Sequence, residues 1–154
     1  LKGDEMKYQS TKTFGNDRGL SCAFRQPKAT HSHCSFIHGY SLGFKFVFEA
    51  DTLDDKNWVY DFGNTKWIKA FLEENFDHTI AVDNADPKLD DLKQLETVGI
   101  AKIVTMDGVG CEKFAEHVYK HVAKKVEMES MYRVKLVSVE VFEHGANSAI
   151  CIGD

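Results

Sequence analysis

From His38 to Glu49 every second residue is apolar or aromatic: His38, Tyr40, Leu42, Phe44, Phe46 and Phe48 fall on one face of an extended chain. A helix of 3.6 residues per turn would scatter these six around its circumference, so the segment buries them together only as a strand with one face on a core. That row is too apolar to face water, and two amphipathic segments further along are available to cover it. Trp67, Ile68, Phe71 and Leu72 recur at helical spacing between Asn64 and Phe76, with Asn64 as the expected N-cap. Phe114, Ala115, Val118, Val122 and Val126 mark a second helix opening near Cys111, with Glu112 placed against its positive end.

Three more strands complete the pattern. A short one is predicted over Leu20–Gln26. Val137, Val139, Val141 and Glu143 share a face of another, and a His144–Asn147 turn leads into a closing strand over Ser148–Ile152. The turn-rich acidic stretch Asp83–Asp91, which holds Pro87, reads as an elaborated connection, and Ile100–Val104 as a short edge strand. The order β-β-α-α-β-β gives a four-stranded antiparallel sheet with two helices on one face, an α+β fold whose open edges call for oligomerisation.

With 154 residues and 43% of them hydrophobic, the chain supports one core, so residues 1–154 are read as a single domain. Nineteen Lys and Arg against 24 Asp and Glu leave a formal charge of −5, and the basic residues form no stripe that would track a phosphate backbone. Nucleic acid is therefore not an expected partner. No apolar run approaches the roughly 20 residues that span a bilayer, and residues 1–6 lack the apolar core of a leader peptide. The expected location is the cytoplasm, with Met6 a candidate natural start. Cys22, Cys34, Cys111 and Cys151 have no C-x-x-C spacing and are expected as thiols.

The chemistry concentrates in one place: His31, His33, Cys34 and His38 put one thiol and three imidazoles within eight residues, a density typical of metal binding or catalysis. Glu143 ends a core-facing strand row, where partial burial demands partners, and a ligand offering paired N–H donors would supply them. Taken alone, Asp77 and His78 read as a helix end and the start of a turn. His117 and His121 have a spacing that binds metal on a helix, yet they fall with Lys113, Lys120 and Lys124 opposite the apolar stripe and read as a solvated face. Cys111 reads as structural.

Taken in order, these elements resemble the 6-pyruvoyltetrahydropterin synthase and 6-carboxytetrahydropterin synthase family over roughly residues 20–152. Cys34-Ser35-Phe36-Ile37-His38-Gly39-Tyr40 is similar to its Cys-x-x-x-His-Gly-His element in all but the last position. Trp58-Val59-Tyr60-Asp61-Phe62-Gly63 resembles the apolar-Asp-Phe lead into its first helix, Phe76-Asp77-His78 its Leu-Asp-His element, and Val139-Glu140-Val141-Phe142-Glu143 the strand whose last glutamate holds the pterin. Two departures matter. The family's first zinc histidine corresponds to Phe24 in Leu20-Ser21-Cys22-Ala23-Phe24, and its third to Tyr40. Of the three usual ligands only His38 stands in place.

The resemblance implies a tunnelling fold (T-fold) assembled as a dimer of trimers, a homohexamer with pockets at subunit junctions. It implies a pterin triphosphate substrate, 7,8-dihydroneopterin triphosphate, with Glu143 binding the ring and Cys34, Asp77 and His78 catalytic. The expected reaction is the 6-carboxytetrahydropterin synthase one of queuosine and 7-deazaguanine synthesis, a carbon–carbon lyase releasing acetaldehyde and triphosphate. The alternatives are a 6-pyruvoyl product or a non-catalytic pterin- or metal-binding paralogue. For the Zn2+ such a lyase uses, or another divalent metal, His31, His33 and His38 are the expected relocated ligands. Left open are two solvated loop histidines with no metal, or a metal that takes Cys34 or Tyr40.

Overall fold

The computed structural model describes residues 5–154; the first four residues, part of the stretch read above for a leader, lie outside it. Its seven strands are β1 (Tyr8–Phe14), β2 (Leu20–Phe24), β3 (His38–Ala50), β4 (Thr79–Asp83), β5 (Ile103–Met106), β6 (Lys135–His144) and β7 (Asn147–Ile152), and its helices are α1 (Lys66–Phe76), α2 (Leu89–Thr97) and α3 (Cys111–Glu129). The long β3 organises them. One of its sides pairs with β6, which pairs with β7, all antiparallel. Its other side takes β1 along the second half, Phe14 opposite Phe44, and β2 along the first half, Leu20 opposite Leu42 and Phe24 opposite His38. Beyond β2 the sheet continues parallel through β4 and β5.

The core face is the aromatic row of β3: Leu42, Phe44, Phe46 and Phe48 are fully buried. Removing such side chains from water contributes roughly 1.5–3 kcal/mol each. Phe44 packs 5.0 Å from Phe76 of α1, which packs 5.2 Å from Phe114 of α3, so one aromatic chain joins the sheet to both helices. The α+β class and the helix-covered face follow the sequence reading. The count does not: β1, β4 and α2 are additional, and β5 runs parallel to β4 instead of extending an antiparallel meander.

Two local expectations are corrected. The core row of β6 runs through Leu136, Val139 and Val141 while Val137 is half-exposed, because the pairing with β3 slips by one residue between Val47 and Phe48 and changes the face. Asn64 does not cap α1; a 3-10 turn over Phe62–Thr65 precedes the helix, and the Asp61 carboxylate accepts the Gly63 N–H at 2.8 Å.

The solvated face expected at His117 and His121 holds for His121, which is exposed, whereas His117 is half-buried where α1 meets α3; both rings contact Phe71 of α1. The His121 ring lies 3.9 Å from that of Phe71, parallel within 2°, and His117 meets Asn75 at 3.4 Å. Burial, then the neighbouring positive charge of His121, lowers the pKa of His117; burial, then Lys125, lowers that of His121. The fold thus favours neutral rings, and the unfolded chain, titrating near the ordinary value of about 6.5, binds more protons. This contribution is present above that value and lost as pH falls through the lower folded values. Thermal stability is expected to drop on acidification from about pH 7 to 5. The drop should be shallower in His121→Phe, compared by calorimetry; equal slopes would remove His121 from the effect.

Candidate active site

The loop from Arg25 to Ile37 carries the thiol and the histidines, and its shape is held from both sides. The Gln26 N–H donates to the Cys34 carbonyl at 2.7 Å, while the Gln26 side-chain amide donates to the Val109 carbonyl at 2.7 Å, just before α3. Arg25 donates to the Ser35 carbonyl at 3.0 Å and forks onto Asp86 with two bonds of 2.8 Å. Asp86 is 5% exposed, and the guanidinium holds its carboxyl below the usual range. Gly110, at φ 105°, allows the close approach: a side chain there would strike the Gln26 amide nitrogen. Cys34 is left exposed on an anchored loop, in a short 3-10 turn capped by Ser32.

Across from this loop, β6 delivers Glu143 to the start of α3. Burial and then the Glu143 carboxylate push the Cys111 thiol up to about 12. Burial raises the Tyr40 phenol as well, followed by the charges of Glu143, Cys34 and Cys111. Glu143, Cys111, Tyr40 and Cys34 therefore share one electrostatic neighbourhood, with Cys111 and Tyr40 neutral and able to donate. Asn16 secures its floor by donating to the Ser41 carbonyl of β3 at 2.7 Å and the Phe142 carbonyl of β6 at 3.2 Å. Sequence reasoning missed Asn16, Arg25, Gln26, Asp86 and the position of Cys111. No spacing rule links residues brought together by sheet pairing across such separations, and only the glycine before Cys111 hinted at a close approach.

Asp77 and His78 stand elsewhere in the chain. The Asp77 carboxylate meets His78 Nδ1 at 2.7 Å, between α1 and β4, with His78 largely exposed and at φ 56°. Asp77 lines a small cleft with Arg18 and Leu20. Leu20 opens β2, and the strand's other end, Phe24, pairs with His38. Thr79, next to His78, pairs with Cys22 in the middle of β2, so at about 3.3 Å per residue the pair sits roughly 7–13 Å along β2 from the His38 end. One copy of the chain keeps Asp77 and His78 apart from Cys34.

The expected relocated metal centre is not assembled. His31 is exposed, the His33 ring stacks on Phe36 at 5.8 Å, and His38 Nδ1 is engaged with the Phe36 carbonyl at 2.8 Å. Among the described residues no three His, Cys, Asp or Glu side chains come close enough to hold an ion. As placed, these donors do not fit a tri-histidine zinc site.

Known proteins agree with this architecture. The family described as 6-pyruvoyl tetrahydropterin synthase matches residues 15–154. A 6-carboxy-5,6,7,8-tetrahydropterin synthase of Aquifex aeolicus is 27% identical over 94% of this chain and 97% of its own. The enzyme of the same name from Bacillus subtilis is 28% identical over 60% of this chain and 62% of its own. Among solved structures, an uncharacterized protein of Wolinella succinogenes superposes with a TM-score of 0.78 at 20% identity, covering 97% of this chain and 99% of that one. The Caenorhabditis elegans 6-pyruvoyl tetrahydropterin synthase does so at 0.61 and 17% identity, covering 97% and 96%. No described helix is long and apolar enough to cross a membrane. A family-model match over residues 15–154, nearly the whole chain, makes this protein a member of the 6-pyruvoyl tetrahydropterin synthase family.

Proposed function

We propose that this chain is a cytoplasmic pterin lyase of the 6-carboxytetrahydropterin synthase type, acting on 7,8-dihydroneopterin triphosphate. The observation that carries the reading is the convergence of Glu143, Tyr40, Cys111 and Cys34 where β3, β6 and α3 meet. Glu143 accepts paired N–H groups from the pterin edge, a planar and charge-assisted contact that sets the ring's orientation. The Cys111 thiol and Tyr40 hydroxyl, kept neutral, are donors for the ring's acceptor atoms. Cys34, exposed on its anchored loop, takes a carbon-bound proton from the side chain as a thiolate. Asp77 fixes the His78 ring through Nδ1 and moves protons with it.

Because Asp77 and His78 lie toward the far end of β2, a neighbouring copy supplies them. This reading therefore includes a homo-oligomer, a dimer of trimers. Its support is the unpaired outer edge of β7, where Ile150 and Ile152 are 54% and 71% exposed. A second reading, a paralogue that binds a pterin without turning it over, is favoured by the aromatic packing at Phe24 and Tyr40.

Incubation with 7,8-dihydroneopterin triphosphate tests the proposal. Acetaldehyde and 6-carboxytetrahydropterin are expected, with the rate falling about 10²–10⁴-fold in Cys34→Ala. A 6-pyruvoyl product would move the protein to the other branch of its family. Saturable binding without product would favour the second reading, and no binding at all would overturn both.

A further inference from the structure

Phe24, His38 and Tyr40, the three positions at which the family pattern carries histidines, meet on one face of two paired strands. Phe24 stands opposite His38, and Cys22 opposite Tyr40. The Phe24 ring is 2% exposed and lies 5.0 Å from His38, 6.1 Å from Tyr40 and 5.1 Å edge-on to Phe114 of α3. His38 and Tyr40 meet edge-to-face at 5.5 Å, and Tyr40 continues to His144 at 6.5 Å. The place of an ion is thus filled by carbon. Phe24 has no donor atom, and the Tyr40 phenol is outside the Cys, His, Asp and Glu set that ordinarily holds zinc. One imidazole remains; its Nδ1 bonds the Phe36 carbonyl and leaves Nε2 free, a single nitrogen donor where a catalytic zinc needs three protein ligands. Each aromatic pair adds attraction beyond the area it buries, so vacating the packing for an ion is uphill.

We infer that this member's site is metal-free, and that an aromatic wall of Phe24, His38 and Tyr40 replaces the metal centre beside the Glu143 anchor. With Phe24 buried behind them, the partly exposed His38 and Tyr40 rings, set edge to face, offer aromatic contacts to a planar heterocycle where the metal would grip hydroxyl oxygens. Ring recognition then comes from Glu143 and these aromatic contacts, and chelation by a ligand's side chain contributes nothing. The inference concerns metal content and holds whether or not the ligand is the proposed pterin triphosphate.

The test begins with elemental analysis of the intact protein, produced with zinc in the medium and then incubated with zinc and desalted. Below about 0.1 metal per chain is expected, where a resident structural or catalytic site would hold about one. Neopterin is the probe for the ring. Its affinity, read by fluorescence quenching, should change by less than about twofold on adding a chelator. Phe24→His combined with Tyr40→His restores the three-histidine pattern around His38 and should raise zinc content to about one per chain. Should that pair fail to fold, judged by circular dichroism, the parent protein's metal content decides alone. Near one zinc per chain in the parent, lost in His38→Ala, would overturn the inference, as would a folded double variant that takes up no zinc. Neopterin failing to bind at all while zinc stays absent would sink the proposed function and leave the metal-free site standing.

Discussion

Arg25→Ala is expected to lower the free energy of unfolding by about 3–5 kcal/mol, because it strands a buried carboxylate. The Asp86 side chain is 1% exposed and the Arg25 side chain 22%, joined by a two-bond fork of 2.8 Å contacts. Exposed ion pairs contribute only about 0–1 kcal/mol, so burial decides the size of the effect. At about 2–4 °C per kcal/mol for a chain of this length, the melting temperature should fall by roughly 10 °C. Arg25→Lys keeps the charge and loses the fork, so it should recover only part of the loss. Removing both partners, Arg25→Ala with Asp86→Ala, should cost less than Arg25→Ala alone, since no buried charge is then left. The folded Asp86 carboxyl titrates below its unfolded value, so the pair's contribution is present above about pH 4 and lost as pH falls through the lower folded value. Arg25 also donates to Ser35, next to Cys34. Its loss should speed alkylation of Cys34 and hydrogen exchange across residues 32–38. A destabilisation under about 1 kcal/mol would place the pair with ordinary surface ions.

That clamp marks where reading the chain stops. The period-two row of β3 and the helical stripes of α1 and α3 are local patterns, and each fixed which face meets the core. β1 escaped because its outward residues, Gln9, Thr11 and Thr13, are polar and its inward ones include Ser10 and Lys12, so no apolar alternation announces it. β4 is a five-residue strand, Thr79–Asp83, whose parallel pairing leaves no turn signal, and α2 buries only Leu92. The face change in β6 comes from a bulge, which depends on the partner strand and not on β6 itself.

Cys34, His38 and Glu143 stand out in the sequence because they sit in short runs of recognisable order. Their supports do not: Asn16 reaches Phe142, Gln26 reaches Val109 and Arg25 reaches Asp86 across 61 to 126 residues of chain. The histidine cluster shows the opposite error. Closeness in sequence does not impose closeness in space: His33 stacks on Phe36, His38 packs on Phe24, and among the described residues no three possible ligands gather around one point.

Glu143→Gln is expected to weaken binding of a pterin ring by about 10²–10³-fold while leaving the fold intact. A carboxylate accepts two N–H groups, each charge-assisted bond worth about 1.5–3 kcal/mol. The amide accepts one and turns its own N–H2 toward the other donor, so one bond is lost and a repulsive contact replaces it. A second readout needs no ligand. The Glu143 charge is the main cause after burial of the Cys111 pKa of about 12. Removing that charge should lower the Cys111 pKa, with burial still holding it above the ordinary thiol value, and so speed alkylation of Cys111 at alkaline pH relative to the parent protein, measured by peptide mass spectrometry. The two readouts separate geometry from function. Faster Cys111 alkylation with unchanged neopterin affinity would keep Glu143 beside α3 and remove it as the ring anchor. Unchanged Cys111 reactivity would put the carboxylate elsewhere and undo the site described at the meeting of β3, β6 and α3.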